Sequence, residues 1–460
     1  MIFLSLSFVS SLFGNVFEEG WLYSKTDDFE LISNASKNKT KNIIEDIYEF
    51  KNALETVFSA IKRYPDPYFA FIICKDKTTL NALYKREKKD GKSLVNLSGF
   101  FGGNDEGGFA AMYAKEWRGR GSKDMVYHEY VHSLFSKSGE ELPLWFNEGI
   151  AMTFQTFQVN RGTTVFGHPV YWARDYLTER ADSFMPFDEL FAVNHSSPEY
   201  RNHGSAHYFY ATSWAFTHFC MFGREGQYKE ALLNFVEADK SGDRSEETFK
   251  KLFGMSFSQM KIEMKKYLGG GRNVLQPERF NVIKLKPEEL PQKYKFSLVK
   301  AKEVDVRRIV GGIFAHDKSR RQKAREILVN ARISNPENVE LTATMGMLEE
   351  LSDNSNKAIE LYEEAIAGNV GLPHPYVHLA ELKLENRKKD SPENLTVKET
   401  VSFLELLFKG RSLKSSGSRL YRTVAQVYLF SDFEATEAHL AILDEGLNCM
   451  PEIMNWRVIP

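Results

Sequence analysis

Two histidines four residues apart, His128 and His132, stand in the stretch VYHEYVHSLF (126–135), with Glu129 directly after the first. On a helix, positions i and i+4 stack on one face with Cβ atoms about 5–6 Å apart. Imidazoles so placed converge on one ion, with zinc–nitrogen bonds of about 2.0–2.1 Å. Glu129, three before His132, flanks that face without pointing at the ion, where a carboxylate can take the proton of a zinc-bound water. Zinc lowers the pKa of that water to about 7. Such a site needs a third protein ligand and an open position. Fifteen residues intervene between His132 and Glu148, which lies in WFNEGIA (145–151). Leu144, Trp145, Phe146 and Ile150 surround Glu148 with apolar surface. A carboxylate amid such surface needs a partner, and a cation is the obvious one.

These side chains require two packed helices, one over VYHEYVHSLF and one over LPLWFNEGIAMTF (142–154), with Pro143 turning the chain between them. Upstream, FELISN (29–34) reads as a short strand, and KNIIEDIYEFKNALETVFSAI (41–61) has helical periodicity. YFAFIIC (68–74) reads as a strand, FFGGNDEGG (100–108) as a glycine-rich loop and FAAMYAKEW (109–117) as a second strand. FAAMYAK is either an edge strand that pairs with an extended substrate or an interior strand, and pattern alone leaves both open. From 205 to 268 the pattern is helical, closing at the turn signal GGGR (269–272). Strands precede helices rather than alternate with them, which favours an α+β domain.

The 460 residues exceed one ordinary core, and 42% hydrophobic with 27% charged residues describe a folded chain. A net charge of −2 and the lack of a basic stripe argue against nucleic acid or an anionic membrane as partner. The odd number of cysteines, Cys74, Cys220 and Cys449, excludes a fully paired disulfide framework. Cys74 and Cys220 sit in apolar runs and are expected to be buried small hydrophobes. The N-terminus, MIFLSLSFVSSLFGNVFEEG, is free of charge through Val16 and shorter than the roughly 20 residues that a spanning helix needs. It predicts a signal peptide over residues 1–17, with Val9-Ser10-Ser11 or Leu12-Phe13-Gly14 as small-residue exits, and hence a periplasmic or secreted protein. No basic residue precedes the run, and the alternative is a buried first element of a cytoplasmic protein. No later run suits a membrane span.

Prolines at 277, 287 and 291 mark 273–310 as a connector with room for a short strand or two. Beyond it, Ala324, Leu328, Ala331 and Pro336 recur 34 residues later as Ala358, Tyr362, Ala365 and Val370. That period, with Gly346 and Ala380 as small residues 34 apart, is the tetratricopeptide signature. ENRKKDSPEN (385–394) breaks the register, and a degenerate unit resumes at VAQVYLF and closes at LDEGLNCMP. The plain alternative is an array of α-hairpins without a peptide groove.

HEYVH followed by WFNEGIA resembles the gluzincins, the thermolysin-like and aminopeptidase N-like metallopeptidases, and most of all the peptidase-MA-like proteins that join such a domain to tetratricopeptide repeats. The resemblance covers roughly residues 21–268, and the two short motifs carry its specificity. It implies a thermolysin-like α+β metallopeptidase domain over 18–272, a linker over 273–310 and an all-α repeat domain over 311–460. One zinc ion per chain would be held by His128, His132 and Glu148, with Glu129 as general base. Gluzincins take an oxyanion donor from a later helix. HGSAHYFYATSW (203–214) offers His203, His207, Tyr208 and Tyr210, of which Tyr210, 62 residues past Glu148, is favoured. The activity implied is peptide-bond hydrolysis by an endopeptidase on a peptide or protein substrate, with the repeats binding substrate or a protein partner.

Three departures stand out: a short interval between His132 and Glu148, no Gly-x-Met-Glu-Asn exopeptidase motif, and Met152 where thermolysin-like enzymes carry an orienting Asp. The first puts the aminopeptidase N-like subfamily in doubt, and the last, with the repeats, keeps a second reading open, an inactive peptidase-like scaffold that binds proteins through its repeats. A closed structural zinc site is disfavoured, since no cysteine lies near either motif.

Overall fold

The computed structural model describes residues 16–17, 20–26, 29–58, 68–83, 99–104, 107–114, 122–136, 142–160, 163–179, 184–269, 280, 282–286, 288, 295–391, 393–413, 418–432 and 436–448. It shows a mixed protein of α-helices and β-strands. Strands β1 (Leu22–Lys25), β2 (Glu30–Ser33), β3 (Tyr68–Cys74), β4 (Gly99–Asn104) and β5 (Gly107–Tyr113) join a late strand, β9 (Val299–Lys300), in one sheet of order β4-β5-β3-β2-β1-β9. β6 (Gln158–Asn160), β7 (Thr163–Phe166) and β8 (Ile283–Leu285) form a smaller sheet.

The expected separation of strands from helices fails at the start of the chain. β2 and β3 pair in parallel, and helix α1 (Lys37–Val57) connects them. Parallel neighbours need such a crossover, because a tight turn cannot bring the chain back in the same direction. The expected loop at 100–108 also gives way, since Gly99–Asn104 pairs antiparallel with β5. β4 is thereby the edge strand, and β5, the FAAMYAK strand, lies inside the sheet between β4 and β3. Residues 115–117 of that stretch lie outside the described residues.

β3 is apolar throughout because both of its faces are covered. Phe69, Phe71 and Ile73 join Leu31, Ala110 and Met112 in the core beneath α1 and helix α3 (Ser122–Ser136). Ala70, Ile72 and Cys74 point the other way, with Ile32, Phe109 and Ala111. That second face is covered by Leu80 and Leu83 of α2 (Lys77–Leu83) and by Val306, Ile309 and Ile313 of α12 (Glu303–His316).

Between α3 and α12 run α4 (Leu144–Phe154), α5 (Tyr171–Thr178), α6 (Phe187–Ala192), α7 (Pro198–Arg201), α8 (His203–Phe222), α9 (Lys229–Lys240), α10 (Glu246–Phe253) and α11 (Phe257–Leu268). α11 ends at Gly269, whose φ of 81° supplies the left-handed cap that the GGGR signal implied. The 273–310 connector contributes β8 and β9, tying itself to both sheets.

From α12 onward the chain is a stack of helical hairpins: α13 (Arg321–Ser334), α14 (Val339–Leu351), α15 (Ser355–Ala367), α16 (His374–Asp390), α17 (Val397–Ser412), α18 (Ser418–Leu429) and α19 (Glu437–Asn448). Ala324, Leu328 and Ala331 are buried, as are Ala358, Tyr362, Ala365, Val370 and Ala380, while Pro336 is exposed. A Cβ on Gly346 would stand 2.7 Å from the Tyr362 ring, so the small residue permits the close crossing. The first half of ENRKKDSPEN continues α16 to Asp390.

A buried ion pair locks the stack to the sheet. Arg308 on α12 donates Nη1 to Oε2 and Nη2 to Oε1 of Glu30 on β2, at 3.0 and 2.8 Å. The Tyr23 hydroxyl donates to the same carboxylate at 2.6 Å. Of the presumed signal, residues 1–15 lie outside the described residues. Val16 and Phe17 are buried: the Val16 carbonyl accepts from Trp21 Nε1 at 2.7 Å, and Arg307 lies over the Phe17 ring. The expected boundary at 17 would cut through this contact. Cys74 and Cys220 are buried free thiols, and Cys449 lies outside the described residues. No described helix is long and apolar enough to cross a membrane.

Candidate metal centre

α3 is amphipathic in an unequal way. Val126, Tyr127, Tyr130, Val131 and Leu134 are buried in the core, which leaves His128, Glu129 and His132 together on the half-buried side. Pro143 caps α4 at its start, and its carbonyl accepts the backbone N–H groups of Phe146 and Asn147. Trp145, Phe146, Ile150, Ala151 and Phe154 bury the rest of that helix and fix Glu148 toward α3. Gly149 has a spatial role: a Cβ there would lie 2.2 Å from Thr217 Oγ1 and 2.6 Å from the Ser213 carbonyl oxygen. The glycine of WFNEGIA thus lets α4 lie directly on α8.

His128 Nε2 lies 3.0 Å from Glu148 Oε2 and 3.0 Å from His132 Nε2, and His132 Nε2 lies 3.4 Å from the same carboxylate oxygen. Among the described residues, this is the one cluster of three His, Cys, Asp or Glu side chains placed to share an ion. A tetrahedral zinc with bonds of about 2.0–2.1 Å needs ligand atoms about 3.3 Å apart. The observed spacing differs from that by a few tenths of an ångström.

The outer nitrogens explain why the inner ones are available. His128 Nδ1 faces Gln155 Oε1 at 3.0 Å, and His132 Nδ1 faces Asn147 Oδ1 at 2.9 Å. An amide oxygen only accepts, so each Nδ1 carries the hydrogen and each Nε2 of a neutral ring presents its lone pair inward. Two Nε2 atoms and a carboxylate oxygen thus converge, an arrangement that a proton or a metal ion among them satisfies. Burial pushes the His132 pKa down, but the hydrogen bond and charge of Glu148 outweigh it and raise the ring to about 9. Burial likewise opposes ionisation of Glu148, yet its hydrogen bonds with His128 and His132 hold the carboxyl below its ordinary range. A divalent cation would compete with the proton for these lone pairs. The donor set and its orientation fit zinc.

Neither Asn147 nor Gln155 emerged from the sequence reading, although Asn147 belongs to the WFNEGIA motif itself. They fill the orienting place left open by Met152, which is buried against the site. Tyr200 on α7 was also missed. Its hydroxyl donates to Glu148 Oε1 at 3.2 Å and hydrogen-bonds the Tyr210 hydroxyl. Burial, with the nearby Glu148 charge, pushes Tyr200 up to about 12 and raises Tyr210 as well, so both stay protonated at neutral pH.

Of the four residues considered on α8, Tyr208 is committed elsewhere, donating to the Phe184 carbonyl, and His207 is exposed beside Trp172. Nothing is described for the His203 side chain. Tyr210 lines a cavity of ≈ 750 Å³ together with His128, Glu129, Met152 and Trp172. Glu129 has no hydrogen-bond partner among the described residues. A second cavity of ≈ 510 Å³ opens on the other side, lined by His132, Asn147, His195, Lys240 and Arg244. His128 and His132 therefore stand between two open spaces.

Comparison with protein-family models, curated proteins and solved structures finds no match to this chain.

Proposed function

We propose that this chain is a zinc-dependent peptidase of gluzincin type, acting as an endopeptidase on extended protein segments. The observation that carries this reading is the convergence of two imidazole lone pairs and a carboxylate, each ring held from behind by an amide oxygen. His128, His132 and Glu148 would hold one zinc ion per chain. Bound zinc would acidify water and polarise the scissile carbonyl.

The remaining chemistry belongs to the chain. Glu129, lining the larger cavity with no hydrogen-bond partner, accepts the proton of the attacking water and delivers it to the leaving amine. Tyr210, a protonated hydroxyl in the same cavity, donates to the oxyanion that develops on the substrate. Tyr200 holds Tyr210 close to Glu148. Open cavities on both sides of the ligand pair suit a chain that continues past the cleaved bond, which supports endopeptidase action.

The scaffold alternative drew on a missing orienter beside the ligands, and Asn147 and Gln155 occupy that place. Helix α12 packs on the sheet, and the hairpins beyond it would bind substrate or a protein partner. Digestion of a proteome-derived peptide mixture by the wild type and by Glu129→Gln tests the reading. Fragments that appear only with the wild type support it, and fragments from neither count against it.

A further inference from the structure

Arg244, an exposed side chain in the turn between α9 and α10, contacts two groups at the cavity wall. Its Nε lies 3.2 Å from Asp239 Oδ1, and its Nη1 donates to the Phe191 carbonyl at 2.8 Å. Asp239 is itself buried and accepts the Trp145 indole N–H at 2.7 Å. Trp145 sits three residues before the ligand Glu148. The tryptophan of WFNEGIA thus orients an aspartate, and the aspartate orients an arginine. The third guanidinium nitrogen, Nη2, makes no hydrogen bond among the described residues. Arg244 lines the ≈ 510 Å³ cavity that also contains His132 and Asn147. His195 and Lys240 line the same cavity, Lys240 with its Nζ 3.1 Å from the exposed Glu237.

We infer that this cavity is a substrate subsite for a carboxylate, with Arg244 as its binding residue. The inference rests on reading the centre as the catalytic site of a peptidase. A guanidinium already engaged at Nε and Nη1 presents its remaining nitrogen to the cavity, and its planar fork matches carboxylate geometry. The carboxylate has two sources in a peptide: an Asp or Glu side chain next to the cleaved bond, which keeps the endopeptidase reading, or the free C-terminus, which would replace it with carboxypeptidase action. A simpler role, neutralising buried Asp239, accounts for the contact at Nε. It gives no preference among substrates, and that difference decides the test.

Binding of labelled peptides to the zinc-loaded, full-length Glu129→Gln protein is followed by fluorescence anisotropy. One arm compares Asp and Glu with Asn and Gln along the peptide, and the other compares C-terminal acid with amide. The carboxylate form in one arm should bind at least about tenfold more tightly. Adding Arg244→Gln should bring the ratio to within about twofold. Arg244→Lys keeps a charge beside Asp239, guarding the fold, and should lower the ratio severalfold. No discrimination in the parent, or an unmoved ratio in either folded variant, overturns the subsite. Wild-type turnover is measured separately, and carboxylate-selective binding without any cleavage would sink the peptidase reading alone.

Discussion

His128 and His132 face each other Nε2 to Nε2 at 3.0 Å, with both outer nitrogens turned to amide oxygens. With both Nδ1 atoms donating to amide oxygens, the facing Nε2 atoms call for a proton or a metal ion between them. The first prediction concerns the amides behind them. Gln155→Ala and Asn147→Ala should each weaken zinc binding roughly 10–100-fold, the usual effect of losing a residue that orients a metal ligand. Competition with a chromophoric chelator measures it, and unchanged affinity in both variants would remove the orienting role.

Gly149→Ala tests the packing that places Glu148. The added methyl would press on Thr217 Oγ1 and on the Ser213 carbonyl oxygen, and backbone does not move aside cheaply. A loss of about 1–3 kcal/mol is expected, as for overpacked cores. Chemical denaturation reads it directly, with zinc affinity falling in parallel as α4 moves off α8.

Arg308→Met should cost about 3–5 kcal/mol, because Glu30 would stay buried with its main cation gone. The same logic predicts that a chain ending at residue 302 is insoluble. Its sheet would expose Ile32, Ile72 and Phe109, which now pack against the hairpins. A soluble, folded truncation would show that the stack is an appendage rather than a wall of the core.

His218 predicts an acid sensitivity separate from the metal centre. Its Nε2 donates to the Gly167 carbonyl at 2.9 Å and its Nδ1 accepts from the Tyr267 hydroxyl at 2.8 Å. Burial lowers its pKa to about 4, the Gly167 hydrogen bond opposing only part of that. The unfolded chain binds this proton at about 6.5, so between those values the unfolded state holds more protons. The contribution is therefore complete above about pH 6.5 and is lost as pH falls toward 4, about 3 kcal/mol in all. Thermal unfolding from pH 7 to 4 should show a smaller loss for His218→Gln than for the wild type.

The sequence revealed most about the site where chemistry is local. His128, Glu129 and His132 share one helix, so their spacing alone placed them on one face. Glu148 was legible because a carboxylate among Trp145, Phe146 and Ile150 needs a cation. Tyr200 was not, since a four-residue helix has no periodicity to read. β4 was hidden by its glycines, which weaken strand propensity and mimic a loop. YFAFIIC was recognisable as a strand, and its unbroken apolar run is what two covered faces require. Which helices cover the second face depends on contacts between β3 and α12, more than two hundred residues apart, and local pattern does not encode such pairings.

Under the proposed function, Glu129 moves the proton for a zinc-dependent hydrolysis. The most direct measurement pairs metal content with turnover of one cleaved peptide in the wild type and Glu129→Gln. The account predicts one zinc per chain in both proteins and a rate at least about a hundredfold lower in the variant, the usual scale of a lost general base. Equal rates, or wild-type turnover that persists after zinc is removed, would contradict it.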